Sequence, residues 1–134
     1  MRPLAPLDAL KVSSAWKFSS KGTVDTIQDS IKTVGSAGVY QIGPNGEEKL
    51  ASWIIFSPVG AMVALGTDED CRRKGYAYLA MNGCAKFCAH QKALVPNVQI
   101  QLENSISKAL VDKSDFVFSH MVEWIHFRRE NQLE

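Results

Sequence analysis

Residues 60–87 read GAMVALGTDEDCRRKGYAYLAMNGCAKF. The first eight, 60–67, are a short apolar run of the kind that forms a strand. From Gly75 to about Lys92 apolar side chains recur every three or four positions: Tyr76, Leu79, Ala80, Cys84, Phe87 and Cys88. That spacing predicts an amphipathic helix. Arg72, Arg73 and Lys74 stand directly before Gly75, at the mouth of this helix. The leading N–H groups of a helix lack intrahelical partners and sit at the positive end of its dipole, so they bind anions well. A glycine removes the Cβ that would keep an anion at a distance, and neighbouring cations add charge-assisted hydrogen bonds. Taken alone, the pattern Arg72-x-x-Gly75-x-Ala77 reads as a solvated basic loop. A strand before it, a helix after it, and a further strand and helix beyond favour a phosphate seat.

The flanking sequence extends the pattern in both directions. Residues 23–34, TVDTIQDSIKTV, carry Val24, Ile27, Ile31 and Val34 at helical spacing, with Thr23 as a candidate N-cap. Residues 38–56, GVYQIGPNGEEKLASWIIF, read as two strands around a Gly-Pro-Asn-Gly turn. NVQIQL (97–102) alternates as a strand does, and NSISKALVDK (104–113) is a short helix capped by Asn104 or Ser105. DFVFSHMVEWIHF (115–127) predicts a final strand, or two with a bend, followed by a solvated tail. Ser14–Phe18 is too short to assign. Antiparallel pairing at the front and a strand–helix–strand unit in the middle predict a mixed α/β sheet flanked by helices. No linker, repeat or low-complexity stretch interrupts residues 1–134, which read as a single domain.

Composition narrows the function. Hydrophobic residues make up 46% of the 134 and charged residues 22%, the balance of a globular domain. Fifteen basic against fourteen acidic residues leave a net charge of +1, so no global field draws nucleic acid and any anion site is local. No apolar run approaches the ~20 residues of a membrane span. The start, MRPLAPLDAL, has neither the apolar centre of a signal peptide nor the arginines of a transit peptide. Three cysteines, an odd number, suggest reduced thiols and an intracellular setting, cytoplasmic or mitochondrial. Cys84 and Cys88, one turn apart with His90 nearby, read as small core residues rather than zinc ligands, because a fourth ligand is not evident. Trp16, Trp53 and Trp124 read as core, with Trp53 and Trp124 also able to flank a substrate.

The phosphate turn and its surroundings resemble the GNAT superfamily of acyl-CoA-dependent N-acyltransferases. The resemblance is closest to the C-terminal domain of glycine N-acyltransferase-like proteins. It runs in order over nearly the whole chain: AWKF near the start, GPNG, Ser52-Trp53, Leu65-Gly66-Thr67, the Arg72 turn and Asn104. It implies a GNAT-type mixed, mostly antiparallel central sheet, splayed between its fourth and fifth strands, here 60–67 and 97–102. It further implies acyl-CoA as cosubstrate and a small amine acceptor, such as glycine or another amino acid, with no metal. Coenzyme A would be held by Leu65, Thr67, Arg72, Arg73, Lys74, Gly75, Tyr76, Ala77 and Asn104. The glycine acyltransferases also carry an N-terminal half, so this chain reads as an excised C-terminal domain or a compact relative.

The chain departs from that family where protons move. The glutamate that serves there as candidate base aligns with Ala61, and the tyrosine of a Tyr-x-x-x-Gly-Phe string aligns with Val111. Glu123 and His120, on the predicted final strand, are the catalytic candidates that remain. His120 alternates with Phe116 and Phe118, which also suits a half-buried structural histidine. Asp68, Glu69 and Asp70 read as a solvated loop balancing the neighbouring arginines. Two functions follow: an acyl-CoA N-acyltransferase, or an acyl-CoA-binding or interaction domain that is catalytically weak or inactive.

Overall fold

The Gly-Pro-Asn-Gly turn closes a hairpin, with the Gly43 N–H donating to the Glu47 carbonyl at 2.8 Å. In the computed structural model, which describes residues 1–125, it joins β1 (Ser36–Ile42) to β2 (Glu48–Phe56). Their antiparallel register sets Ser36 opposite Ile55 and Ile42 opposite Glu48. A second tight turn, Ser57–Gly60, returns the chain into β3 (Met62–Thr67), antiparallel to β2. Single pairings extend the sheet at both edges: Arg2 with Gly38, antiparallel, and Val98 with Met62, parallel. Counted with those edges, β3 is fourth and the segment at Val98 fifth. These two share one pairing, the Met62 N–H donating to the Asn97 carbonyl at 2.8 Å, and then part. The mixed, mostly antiparallel sheet and its splay are therefore as predicted.

Residues 97–102 are not a strand, however, although burial still alternates, with Val98 and Ile100 half-buried between exposed Asn97, Gln99 and Gln101. A ladder needs a neighbour that runs alongside, and β3 bends away at a bulge two residues after Met62. Residues 115–125 form no strand either, and only Phe116 among them is even half-buried. His126, Phe127 and the predicted tail lie outside the described residues.

Helices cover both faces. On one, α1 (Ala9–Ala15) and α2 (Thr23–Thr33) pack Val12 and Ile27 against Leu50, Trp53 and Ile55. Helix α1 carries too little sequence for its period to show, and it forms because Ala9, Val12 and Ser13 bury one side. Thr23 is the first residue of α2 rather than its cap; its Oγ1 accepts the Ser20 N–H at 2.8 Å instead. On the other face, α3 (Tyr76–Gln91) and α4 (Ser105–Asp112) meet Ala37, Val39, Ile54, Phe56 and Met62. Ala80, Met81, Cys84 and Cys88 form the buried stripe of α3, whereas Leu79 is 48% exposed. Full burial of a Met or Ile side chain contributes about 1.5–3 kcal/mol, so these two clusters hold the sheet between its helices. Among the described residues no helix is long and apolar enough to cross a membrane.

Candidate functional site: a bulged strand and a cationic turn

Strand β3 carries one residue more than β2 between their shared pairings: Trp53 faces Gly66, but Ile55 faces Val63. Ala64 absorbs the excess in a left-handed conformation, φ +56°. The bulge puts Val63 and Ala64 together on the α1–α2 face and returns Leu65 to the α3 face with Met62. A left-handed non-glycine residue costs on the order of 1–3 kcal/mol and frees ladder groups for another use. Beyond the bulge, Gly66 has no Cβ because one would meet the Trp53 indole at 2.5 Å. The Ser52 hydroxyl donates to the Gly66 carbonyl at 2.8 Å and lies 2.9 Å from Thr67 Oγ1.

The chain then enters the turn. The Asp68 N–H still bonds the Ala51 carbonyl, and a 3-10 turn at Glu69–Cys71 buries the Cys71 side chain. Its thiol faces Gln41 Oε1 at 3.4 Å, and Gln41 Nε2 donates to the Tyr76 hydroxyl at 3.1 Å. One β1 side chain thus anchors both ends of the loop that contains the cations. Arg72 Nε donates to the Thr67 carbonyl at 3.4 Å, Arg73 is left-handed (φ +61°), and Gly75 (φ +79°) is the N-cap of α3.

Two observations fit this turn to an anion. A Cβ built on Gly75 would have no heavy atom within 4 Å, so the helix mouth is open, and no side chain caps α3. Two of the three clustered carboxylates, Asp68 and Asp70, pair with lysines rather than with the arginines. Asp68 pairs with Lys11 at 2.7 Å and Lys49 at 3.5 Å, and Lys49 also holds Asp70. The hydrogen bond from Lys49 keeps the Asp70 carboxyl below its ordinary range. The predicted balance with the arginines therefore does not hold for Asp68 and Asp70: the Asp68 N–H is bonded to β2 at Ala51, and both carboxylates pair with Lys49. Among the described residues Arg72, Arg73 and Lys74 have no carboxylate within ion-pairing distance, and all three are exposed.

Leu65, Thr67, Arg72, Arg73, Lys74, Gly75, Tyr76 and Ala77 are thus brought together along one strand–turn–helix path. Asn104 is the N-cap of α4, its Oδ1 accepting the Ser107 N–H at 3.0 Å, and it makes no hydrogen bond to the turn. Ala61 is buried, and Val111 is half-buried against the α3 side of the core. His120 and Glu123 are exposed on the irregular segment; among the described residues His120 Nδ1 meets only the adjacent Ser119 Oγ, at 2.9 Å. Cys84 and Cys88 are buried in the core while His90 is exposed; burial raises both thiols above their ordinary value. Trp53 is core, and Trp124 is exposed. The bulge at Ala64 and the course of the acidic cluster are the features sequence reasoning missed. An alanine gives no sign of a left-handed residue, and Lys49 lies twenty-one positions from Asp70.

Ser36–Ile125, more than half of the chain, matches the family model described as FR47-like protein. The chain belongs to the FR47-like family. No curated protein matches it. Among solved structures, a Drosophila protein superposes with a TM-score of 0.74 at 22% identity, covering 85% of this chain. The FR47-like chain described here spans only 37% of that protein's length. A proposed acetyltransferase from Agrobacterium tumefaciens has a TM-score of 0.66 at 11% identity, covering 94% of this chain and 98% of its own. Another, YycN from Bacillus subtilis, has a TM-score of 0.51 at 13% identity, covering 92% and 85%. The FR47-like chain has a GNAT-type fold.

Proposed function

We propose that this domain is an acyl-CoA-dependent N-acyltransferase, related to the glycine N-acyltransferase-like proteins, that acylates a small amine. The observation that carries the reading is the turn at Arg72–Gly75, open and, among the described residues, without carboxylate partners, set directly beyond a bulged strand. Arg72, Arg73 and Lys74, with the N–H groups of Gly75, Tyr76 and Ala77, suit the pyrophosphate of coenzyme A. The backbone of Leu65 and Thr67 suits the amides of its pantetheine arm, and Asn104 would reach it from α4. Acyl-CoA supplies a thioester carbonyl as the electrophile. The backbone at the bulge, Ala64 and Leu65, is the chain's candidate donor to the oxygen where charge develops.

Proton transfer is where the chain is poorest. Ala61 and Val111 carry no proton, and His120 and Glu123 are exposed, with the adjacent Ser119 the one hydrogen-bond partner of either side chain among the described residues. In this reading the rate rests chiefly on holding a neutral amine beside the thioester, an effect worth up to about 7–11 kcal/mol when geometry is good. The cytoplasm and the mitochondrion both offer such substrates. A second reading, an acyl-CoA-binding domain without turnover, is favoured by Ala61 and Val111 alone. Calorimetric titration with acetyl-CoA and a longer acyl-CoA, followed by thiol release in the presence of amines, separates the two. Binding with release supports the enzyme, binding without release the second reading, and no binding removes both.

A further inference from the structure

The outer edge of β3 is bonded at both of its ends. At the start, the Met62 N–H donates to the Asn97 carbonyl at 2.8 Å. At the other end, the register fixes which way the Thr67 backbone points. The Asp68 N–H donates to Ala51 of β2, and Thr67, one residue earlier, is paired with Ser52. In an antiparallel ladder such bonded positions alternate with positions whose N–H and C=O turn outward, so the Thr67 carbonyl faces away from β2. Arg72 takes that carbonyl, with Nε donating at 3.4 Å. A strand edge is a row of unfilled donors and acceptors, and Arg72 fills the final acceptor of this one. Arg73 and Lys74 carry the same charge but make no hydrogen bond to β3.

We propose that Arg72 makes the site selective for donor thioesters that carry pyrophosphate, over thioesters of bare pantetheine, by holding the edge acceptor that the arm's amide needs. The inference rests on the acyltransferase reading, in which pantetheine amides bond the backbone of Leu65 and Thr67, and deepens it to a choice between donors. An amide N–H approaching Thr67 meets the guanidinium already on the carbonyl. Thr67 offers that guanidinium one long bond to a neutral oxygen, whereas a phosphate at the Arg72–Gly75 turn offers an oppositely charged and bidentate partner. Pyrophosphate therefore draws Arg72 off the edge, and the two ends of the donor are bound together. Bare pantetheine brings no such partner and has to displace the guanidinium unaided. Arg72 touches no reacting atom in this role; it sets which donor is admitted.

The test is titration of the full chain with coenzyme A by calorimetry and with pantetheine by backbone amide chemical shifts, in the parent, Arg72→Ala and Arg73→Ala. Both arginines are exposed, so both variants should keep the circular dichroism of the parent. Arg72→Ala should weaken coenzyme A several-fold and tighten pantetheine about threefold, opposite signs from one substitution. Arg73→Ala removes the same charge but no bond to the edge, so it should weaken coenzyme A and leave pantetheine where it was. Pantetheine affinity that is unchanged or lower in Arg72→Ala would overturn the proposal, because Thr67 would then accept both donors at once. An equal gain in Arg73→Ala would overturn it too, since the gain would not come from the bond to Thr67. Pantetheine that binds none of the three proteins would remove the edge as a seat for the arm, and the proposal with it. In each of these cases coenzyme A binding to the parent leaves the acyltransferase reading standing. Absence of coenzyme A binding would overturn that reading itself.

Discussion

Lys49 of β2 holds Asp70, and by doing so it keeps a carboxylate away from the cations at Arg72–Lys74. With Lys11 on Asp68, two of the three carboxylates at Asp68–Asp70 are paired, while among the described residues the cations at Arg72–Lys74 have no carboxylate partner. Lys49→Ala should therefore lower coenzyme A affinity, by about two- to fivefold at low salt, because the freed carboxylates repel the same anion. The ion pair is solvent-exposed, so the melting temperature should hardly move. An unchanged affinity from 20 to 200 mM salt would show that this division of charge has no bearing on binding.

Arg72→Ala with Lys74→Ala acts on the cations directly. Both side chains are exposed, so the domain should stay folded, with unaltered circular dichroism, while coenzyme A affinity falls tenfold or more. Equal affinity in the double variant and the parent would remove the phosphate seat.

Ala64 offers a stability test of the bulge. Ala64→Val places a β-branched residue at φ +56° in a buried site and should cost about 2–4 kcal/mol in urea unfolding. Ala64→Gly should lie within about 1 kcal/mol of the parent, because relief of the left-handed strain offsets the lost methyl. Equal stability of the valine and glycine variants would mean that the strand passes this point without a bulge.

The same position shows how far sequence reasoning reaches. Hairpin, α2, α3 and the cationic turn were legible because each is written locally: a Gly-Pro-Asn-Gly turn, a 3.6-residue period, three cations beside a glycine. The bulge and the Lys49–Asp70 pair were not, since each depends on what tertiary pairing sets beside a residue. Residues 97–102 and 115–125 show the opposite failure. The alternation of 97–102 is genuine, but a strand requires a partner, and after Met62 the neighbour departs; 115–125 is aromatic without burying more than part of Phe116.

Tyr40 makes stability depend on alkaline pH. Its hydroxyl donates to Asp8 Oδ2 at 2.6 Å, and burial, with that bond, pushes it up from near 10 to about 12. The folded state thus holds the phenolic proton more firmly than the unfolded chain does. The resulting stability is fully present below pH about 10 and is lost as pH rises towards 12. Tyr40→Phe should be less stable than the parent at pH 8, and the gap should narrow between pH 10 and 12. A constant gap in urea midpoints across that range would show that the phenolic proton is not linked to folding.

His120 and Glu123 are exposed, and among the described residues the neighbouring Ser119 is the one hydrogen-bond partner of either, from which a kinetic expectation follows. A base acts by geometry first, within hydrogen-bond reach of the proton it takes. Neither side chain is held in that way, so His120→Ala and Glu123→Gln should each slow turnover at saturating acyl-CoA by less than about tenfold, below the 10²–10⁴ of a positioned base. If the acceptor must instead arrive already neutral, kcat/KM for the amine should rise about tenfold per pH unit and level off at the acceptor's own pKa. Exchanging the acceptor for one of lower pKa should move that plateau down by the same amount. A plateau that stays put when the amine is changed would place the titrating group on the protein. Its disappearance in the His120 or Glu123 variant would then name which of the two carries it.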